Sequence, residues 1–252
     1  MKKYLLASGL FFVFYSVFVI LTLPINVALA WIDLPKGITL SNPSGTIWNA
    51  EFAQITIEQS RQSRVKINKV STDLSLSSLF LLTPSINIKF GDKLVDGPQG
   101  NLTLSGLLTM PEISHASISI AANDIAKELT LPIDTTAFGM VILTLDSYVV
   151  GKPLCANAQG KITWSKAALN AFEQTVELGT LKANVSCEKG ALALEIDAKN
   201  NLGLSFLAYL RDKGRVSGDG YLIPGNNFPK KLHDLLPFIG KPDNKGRYRL
   251  RL

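Results

Sequence analysis

Ser63 and Lys66 hold the S-x-x-K spacing in which a lysine amine can take the proton of a serine nucleophile. Neither a K-T-G element nor an S-D-N partner accompanies them, so the spacing alone assigns no nucleophile. The two histidines, His115 and His233, fall in an alternating stretch and in a short C-terminal helical stretch. Neither sits in a motif that would make it a general base. No G-x-S-x-G, G-x-x-x-x-G-K-[ST] or H-E-x-x-H occurs, and Gly240-Lys241 runs into Pro242, which lacks the N–H that a phosphate nest needs. With no nucleophile, base and orienting group assembled, the residues point away from an enzyme. No catalytic, cofactor-binding or metal-ligating residue is assigned.

Cys155 and Cys187 are the only cysteines. An even pair outside a C-x-x-C spacing reads as a structural disulfide in an oxidising compartment. A metal site is the weaker reading, because two cysteines and two distant histidines do not make the usual tetrahedral set. Asn101-Leu102-Thr103 and Asn184-Val185-Ser186 match the glycosylation sequon, a pattern short enough to arise by chance. Trp48 and Trp164 stand near turn residues and read as core plugs at a sheet edge, with partner contact as the competing role. Tyr248, Leu250 and Leu252 alternate at the end of the sequence and read as a strand that either closes the sheet or extends onto a partner.

The compartment follows from the first thirty residues. Met1, Lys2 and Lys3 precede an uncharged run from Tyr4 to Leu23, broken by Pro24, and the first acidic residue is Asp33. Twenty helical residues cover about 30 Å, the thickness of a bilayer core, and lysines ahead of the run keep the N-terminus in the cytoplasm. Residues 1–30 are therefore expected to be a cytoplasmic stub and transmembrane anchor, with Trp31 at the interface and residues 31–252 outside the cytoplasm. Ala28-Leu29-Ala30 supplies the rival reading, a signal peptide cleaved after Ala30. The net charge of +6 falls to +4 without Lys2 and Lys3 and is spread along the domain, well short of a nucleic-acid-binding footprint.

After the anchor the sequence alternates with period two, as at Ile55/Ile57, Ile86/Ile88/Phe90, Leu102/Leu104, Ile118/Ile120 and Leu192/Leu194/Ile196. Gly97-Pro98-Gln99-Gly100, Gly151-Lys152-Pro153 and Gly218-Asp219-Gly220 read as the turns between strands. Helices are expected only over residues 74–82, 124–129 and 230–236. The fold class is all-β with a few short helices: a large curved antiparallel sheet or a sandwich. Residues 132–136 are the candidate divide between halves 31–135 and 136–252. A faint echo supports it: Gly45 to Ala50 and Gly160 to Ala167 each run from glycine through a strand and tryptophan to a polar break.

These pieces occur in a family-like order: Leu23-Pro24 closing the apolar span, G-T-I-W at Gly45 to Trp48, Gly160…Trp164…Ala167, G-Y-L at Gly220 to Leu222, and L-x-x-x-G-x-x-D-x-x-G-R-Y-R-L from Leu236 to Leu250. In this the chain resembles type II secretion system protein N, also called general secretion pathway protein N, over essentially its whole length. It departs from the pattern at Ala50, where a glycine is expected, and over 70–74, where a tryptophan is missing. The resemblance implies a single-pass inner-membrane protein of a Gram-negative bacterium with a periplasmic domain. Its implied role is a non-enzymatic accessory one, with other secretion-system proteins as partners. Such proteins also look similar to AsmA-type lipid-transfer proteins, so a lipid- or lipopolysaccharide-binding groove is the rival function. Alternation does not separate the two, because an apolar face looks the same over a core or a ligand.

Overall fold

A computed structural model describes residues 2–31, 34–35, 37–58, 64–80, 83–92, 94–106, 110–128, 135–171, 174–234 and 236–252. Ser63 and residues 132–134, which carried two of the expectations above, lie outside these. Fourteen strands follow one another: β1 (Ile38–Ser41), β2 (Ser44–Gly45), β3 (Asn49–Glu58), β4 (Arg64–Leu74), β5 (Ile86–Phe90), β6 (Gln99–Ser105) and β7 (Glu112–Ala121), then β8 (Thr136–Val150), β9 (Cys155–Ala171), β10 (Gln174–Glu188), β11 (Ala191–Ile196), β12 (Leu204–Leu210), β13 (Val216–Leu222) and β14 (Tyr248–Arg251). The helices are α1 (Lys2–Thr22), α2 (Ile25–Leu29), α3 (Leu76–Phe80), α4 (Ala122–Glu128), α5 (Lys230–His233) and α6 (Leu236–Ile239).

All fourteen strands form one antiparallel sheet in the order β1-β3-β4 and onward to β14, with only β2 off the path, on β3. The sandwich alternative is therefore not the fold: no second sheet packs against the first among the described residues. The expected helices are present with shifted ends. Leu74 belongs to β4, where it pairs with Ile86, and α5 and α6 divide the C-terminal stretch.

Local chemistry explains the turns. The β10–β11 hairpin closes on Lys189 and Gly190, both at positive φ (50° and 81°), the pairing that a tight two-residue turn requires. Gly218-Asp219-Gly220 is not a turn but the middle of β13. There the ring of Phe206 on β12 lies over both glycines, so a Cβ at either would meet it within 2.6 Å. A neighbouring aromatic supplies the cover that glycine lacks. Gln99 and Gly100 likewise belong to β6. The echo around the tryptophans does not survive as two equivalent units. Trp48 sits in the turn before β3, whereas Gly160 to Ala167 run unbroken through β9.

Two apolar clusters hold the ends of the sheet. At the N-terminal end Ala50, Phe52 and Val70 are buried, and Ile25 and Leu29 of α2 pack on them. At the C-terminal end Ala167, Leu178, Leu202 and Leu222 are covered by Phe228 and Leu236, from the segment that folds back after β13. Lys231 Nζ pins that segment by donating to the Thr175 carbonyl at 2.9 Å. The disulfide Cys155–Cys187 ties the start of β9 to the end of β10, with Cα atoms 6.1 Å apart.

Helix α1 stands apart from the sheet, and Phe11, Phe12, Phe14 and Phe18 on its several faces are each at least 65% exposed. Among the described residues no helix is long and apolar enough to cross a membrane, so the transmembrane anchor expected over residues 1–30 is not found there. The accessible surface of the chain is 17,716 Å². A compact 27.4 kDa monomer would show about 10,900 Å². The excess has two sources: α1, and a sheet that is one layer thick over most of its width.

Candidate functional site

Directly opposed residues of an antiparallel pair lie on the same face of a sheet, so register traces each face across the strands. One such row runs Phe90, Gly100, Ile118, Leu143, Ile162, Ala183, Ile196, Phe206, Gly220, Leu250 from β5 to β14. It carries no polar side chain. A second row, Ile120, Val141, Trp164, Leu181, runs beside it across β7 to β10. The opposite face is its inverse: Lys89, Asn101, Ser117, Thr144, Lys161, Asn184, Glu195, Leu207, Asp219, Arg251. At about 4.8 Å per strand, the apolar floor from β5 to β14 extends about 43 Å.

The floor is only partly covered. Ile118, Leu143, Ile162, Ile196 and Phe206 are half-buried rather than buried. Three sets of short helices touch it: α2 at one end, α5–α6 at the other, and α4 midway. Beneath α4 lies a groove of about 390 Å³, lined by Ala122 and Ile125 of the helix, Ala137 and Val141 of β8, and Trp164 and Leu169 of β9. Bulges at Gly139, Lys166 and Gly179, in three adjacent strands, locally bend the long strands that form it. An apolar recess of this size falls within the range of small-molecule sites.

The residues singled out in the sequence distribute unevenly over this surface. Trp164 lines the groove, its indole N–H donating to the Phe138 carbonyl at 2.9 Å, and it packs with Tyr248 and Leu250 on the C-terminal cluster. Leu252 does not join them. Its side chain is 71% exposed, although its main chain pairs with Gly218 in both directions. Trp48 lies at the far end, where its indole N–H donates to the Ile20 carbonyl at 3.0 Å and so joins the last turn of α1 to the sheet. Cys155 and Cys187 bridge each other, away from the groove.

The histidines stay apart. His115 is exposed on the β7 bulge with φ 49°, and His233 ends α5 edge-on to Phe228. Among the described residues no group of three or more His, Cys, Asp and Glu is placed to hold a metal.

The charged groups serve the strands. Asp219 receives Arg249 at 3.0 Å and Arg251 at 3.6 Å, joining β13 to β14. Asp243 accepts the main-chain N–H of Arg247 and of Lys245 and the Arg247 Nε. These bonds, led by the Arg247 main chain, hold its carboxyl below the usual carboxylate range. The Glu188 carboxylate, accepting from Tyr209 at 2.8 Å, pushes that phenol up.

Sequence reasoning missed the groove under α4 and the docking of α2. Their signal was present in Ala122, Ile125 and Ala126, small and apolar along a short helix, but alternation carries no information about what lies across a face.

The family model described as type II secretion system (T2SS), protein N, matches residues 36–251. Three curated relatives carry the name type II secretion system protein N. That of Vibrio cholerae serotype O1 is 28% identical over 91% of this chain and 90% of its own. That of Aeromonas hydrophila is 26% identical over 100% of this chain and 98% of its own. That of Pectobacterium carotovorum subsp. carotovorum is 24% identical over 96% and 90%. No solved structure matches the chain at a significant level.

Proposed function

Because the chain belongs to the type II secretion system protein N family, we propose that it is an accessory inner-membrane component of that apparatus, with α1 lying at the membrane and its sheet in the periplasm. It acts by presenting sheet surface to other secretion proteins and carries out no reaction. The observation that carries this reading is the reach of the family match, which takes in every strand of the sheet. Association of α1 with the membrane is supported by the uncharged run from Tyr4 to Leu23, by the two lysines before it and by the all-round exposure of the α1 phenylalanines. On this reading partner contacts lie at the outer edge of β14, the last strand of the sheet among the described residues.

The test is removal of the protein from its native host. Export of type II substrates should fall and return when the full chain is restored. Undiminished export would overturn the accessory role.

A second reading, a lipid- or lipopolysaccharide-binding groove, is favoured by one specific observation: among the described residues no second sheet covers the apolar row from Phe90 to Leu250, and only α4 touches it midway. Exposed apolar surface on this scale marks an interaction site. The two readings are compatible, since a secretion component can hold a ligand.

A further inference from the structure

The floor and the apolar helix are one continuous surface. The last turn of α1 and the two residues after it are tied to the turn before β3 at three points: Trp48 Nε1 on the Ile20 carbonyl at 3.0 Å, the Ile47 N–H on the Leu23 carbonyl at 3.1 Å, and a bridge between Pro24 and Thr46. Helix α2 follows at once and lays Ile25 and Leu29 against Ala50, Phe52 and Val70, the cluster on which Ile88 and Phe90 also pack. Phe90 is the first residue of the ten-strand row. From Phe90 to the groove under α4 the row carries no polar side chain; before it Thr72 stands between Ala50 and Ile88, and Thr135 lines the groove.

The chemistry of that path selects its occupant. Its main-chain groups are consumed by the sheet ladder, and the Thr72 hydroxyl and the Trp164 indole N–H already donate to the Ala50 and Phe138 carbonyls. An extended peptide lying on it would therefore leave its own N–H and C=O groups unpaired. A hydrocarbon chain has nothing to pair. Resting on the groove reading above, we infer that the floor takes an acyl chain of a membrane glycerophospholipid, loaded from the α2 end and reaching the groove beside Trp164. The bilayer that holds α1 is the source, and α2 and α4 are the points past which the chain slides.

Trp164 reports this directly. It lies six strand steps from β3, about 29 Å across the sheet. Bromine in the acyl region of the bilayer is out of contact with it unless a chain has moved along the floor. Full-length Trp31→Phe protein is compared with Trp31→Phe/Trp164→Phe in phospholipid vesicles with and without bromine on the acyl chains. The difference between the two proteins is the emission of Trp164, and the Trp48 bond is left intact.

The expected result is loss of that emission in brominated vesicles. Val141→Asp, in the groove, should restore it, and Thr144→Asp, on the polar face, should not. Leu29→Asp, at the loading end, should also restore it, with circular dichroism verifying that each variant folds. Persistent quenching in Leu29→Asp would overturn the route.

Native mass spectrometry of the full chain separates the remaining outcomes. Bound phospholipid with an unquenched Trp164 overturns this inference and leaves the groove reading standing. A lipid-free chain, or a lipid-free dimer with the two floors closed on each other, overturns both.

Discussion

Replacing Cys155 and Cys187 together by alanine should cost the sheet about 3.7 kcal/mol. The bridged residues are 32 apart in sequence. The chain-entropy relation assigns a loop of that length a loss of about 12 cal/mol/K in the unfolded state, which is the quoted free energy at 25 °C. The folded side of the balance changes little. Cys155 is 2% exposed, and alanine fills most of its volume without adding a polar group. β9 and β10 keep their ladder in either case. For a domain whose total stability is about 5–15 kcal/mol the loss is large without being fatal.

Urea unfolding of the wild type and the double variant, followed by circular dichroism and by tryptophan emission, measures it. The midpoint should fall while the slope stays near its wild-type value, because the same surface is exposed. A difference below about 1 kcal/mol would mean that the unfolded chain is already restrained between these positions, and the loop-entropy reasoning would be wrong here.

Deleting residues 249–252 removes Leu250 from the C-terminal cluster and two arginines from Asp219, and should destabilise the domain by about 2 kcal/mol or more in a thermal melt. Lost export with an unchanged melt would instead make β14 a strand for a partner. Trp48→Phe keeps a ring but loses the donor to Ile20. Stability should fall by at most about 1 kcal/mol, while limited proteolysis between Thr22 and Trp48 should accelerate. Asp243, its carboxyl held low by the Arg247 and Lys245 main chain, contributes stability that is present above the unfolded carboxylate value of about 3.9 and is lost as pH falls through the folded value. The melt should be insensitive to this group from pH 8 to 5 and drop below about pH 4, a drop that Asp243→Asn should reduce.

Alternation in the sequence identified the strands because the two faces differ so sharply. Ile86, Ile88 and Phe90 on β5, and Leu192, Leu194 and Ile196 on β11, all lie on the apolar side. Short-range punctuation was less reliable. Gly218-Asp219-Gly220 carries the composition of a turn, and only the ring of Phe206, twelve residues upstream of Gly218, makes it a strand. Layer count was beyond reach for a related reason. Whether Ile162 faces a second sheet, a helix or nothing depends on residues distant in sequence, and its own neighbours read the same in each case. The site was half legible. Trp164, Tyr248 and Leu250 could be picked out as large apolar residues among polar ones, but their meeting in one cluster depends on register across six strands.

The order of the sheet also governs how the molecule can be made. Apart from β2, every strand pairs with the strands immediately before and after it in the chain. Ladder contacts are therefore local in sequence, and closing each costs only the entropy of a short loop. A chain delivered N-terminus first, one residue at a time, finds a waiting edge for each new strand as soon as that strand emerges. The sheet can grow behind the point of delivery without holding a long unfolded tail. The exceptions mark when growth is secured: the Cys155–Cys187 bridge forms only after β10 has arrived, and α5–α6 cover the second cluster only near the end.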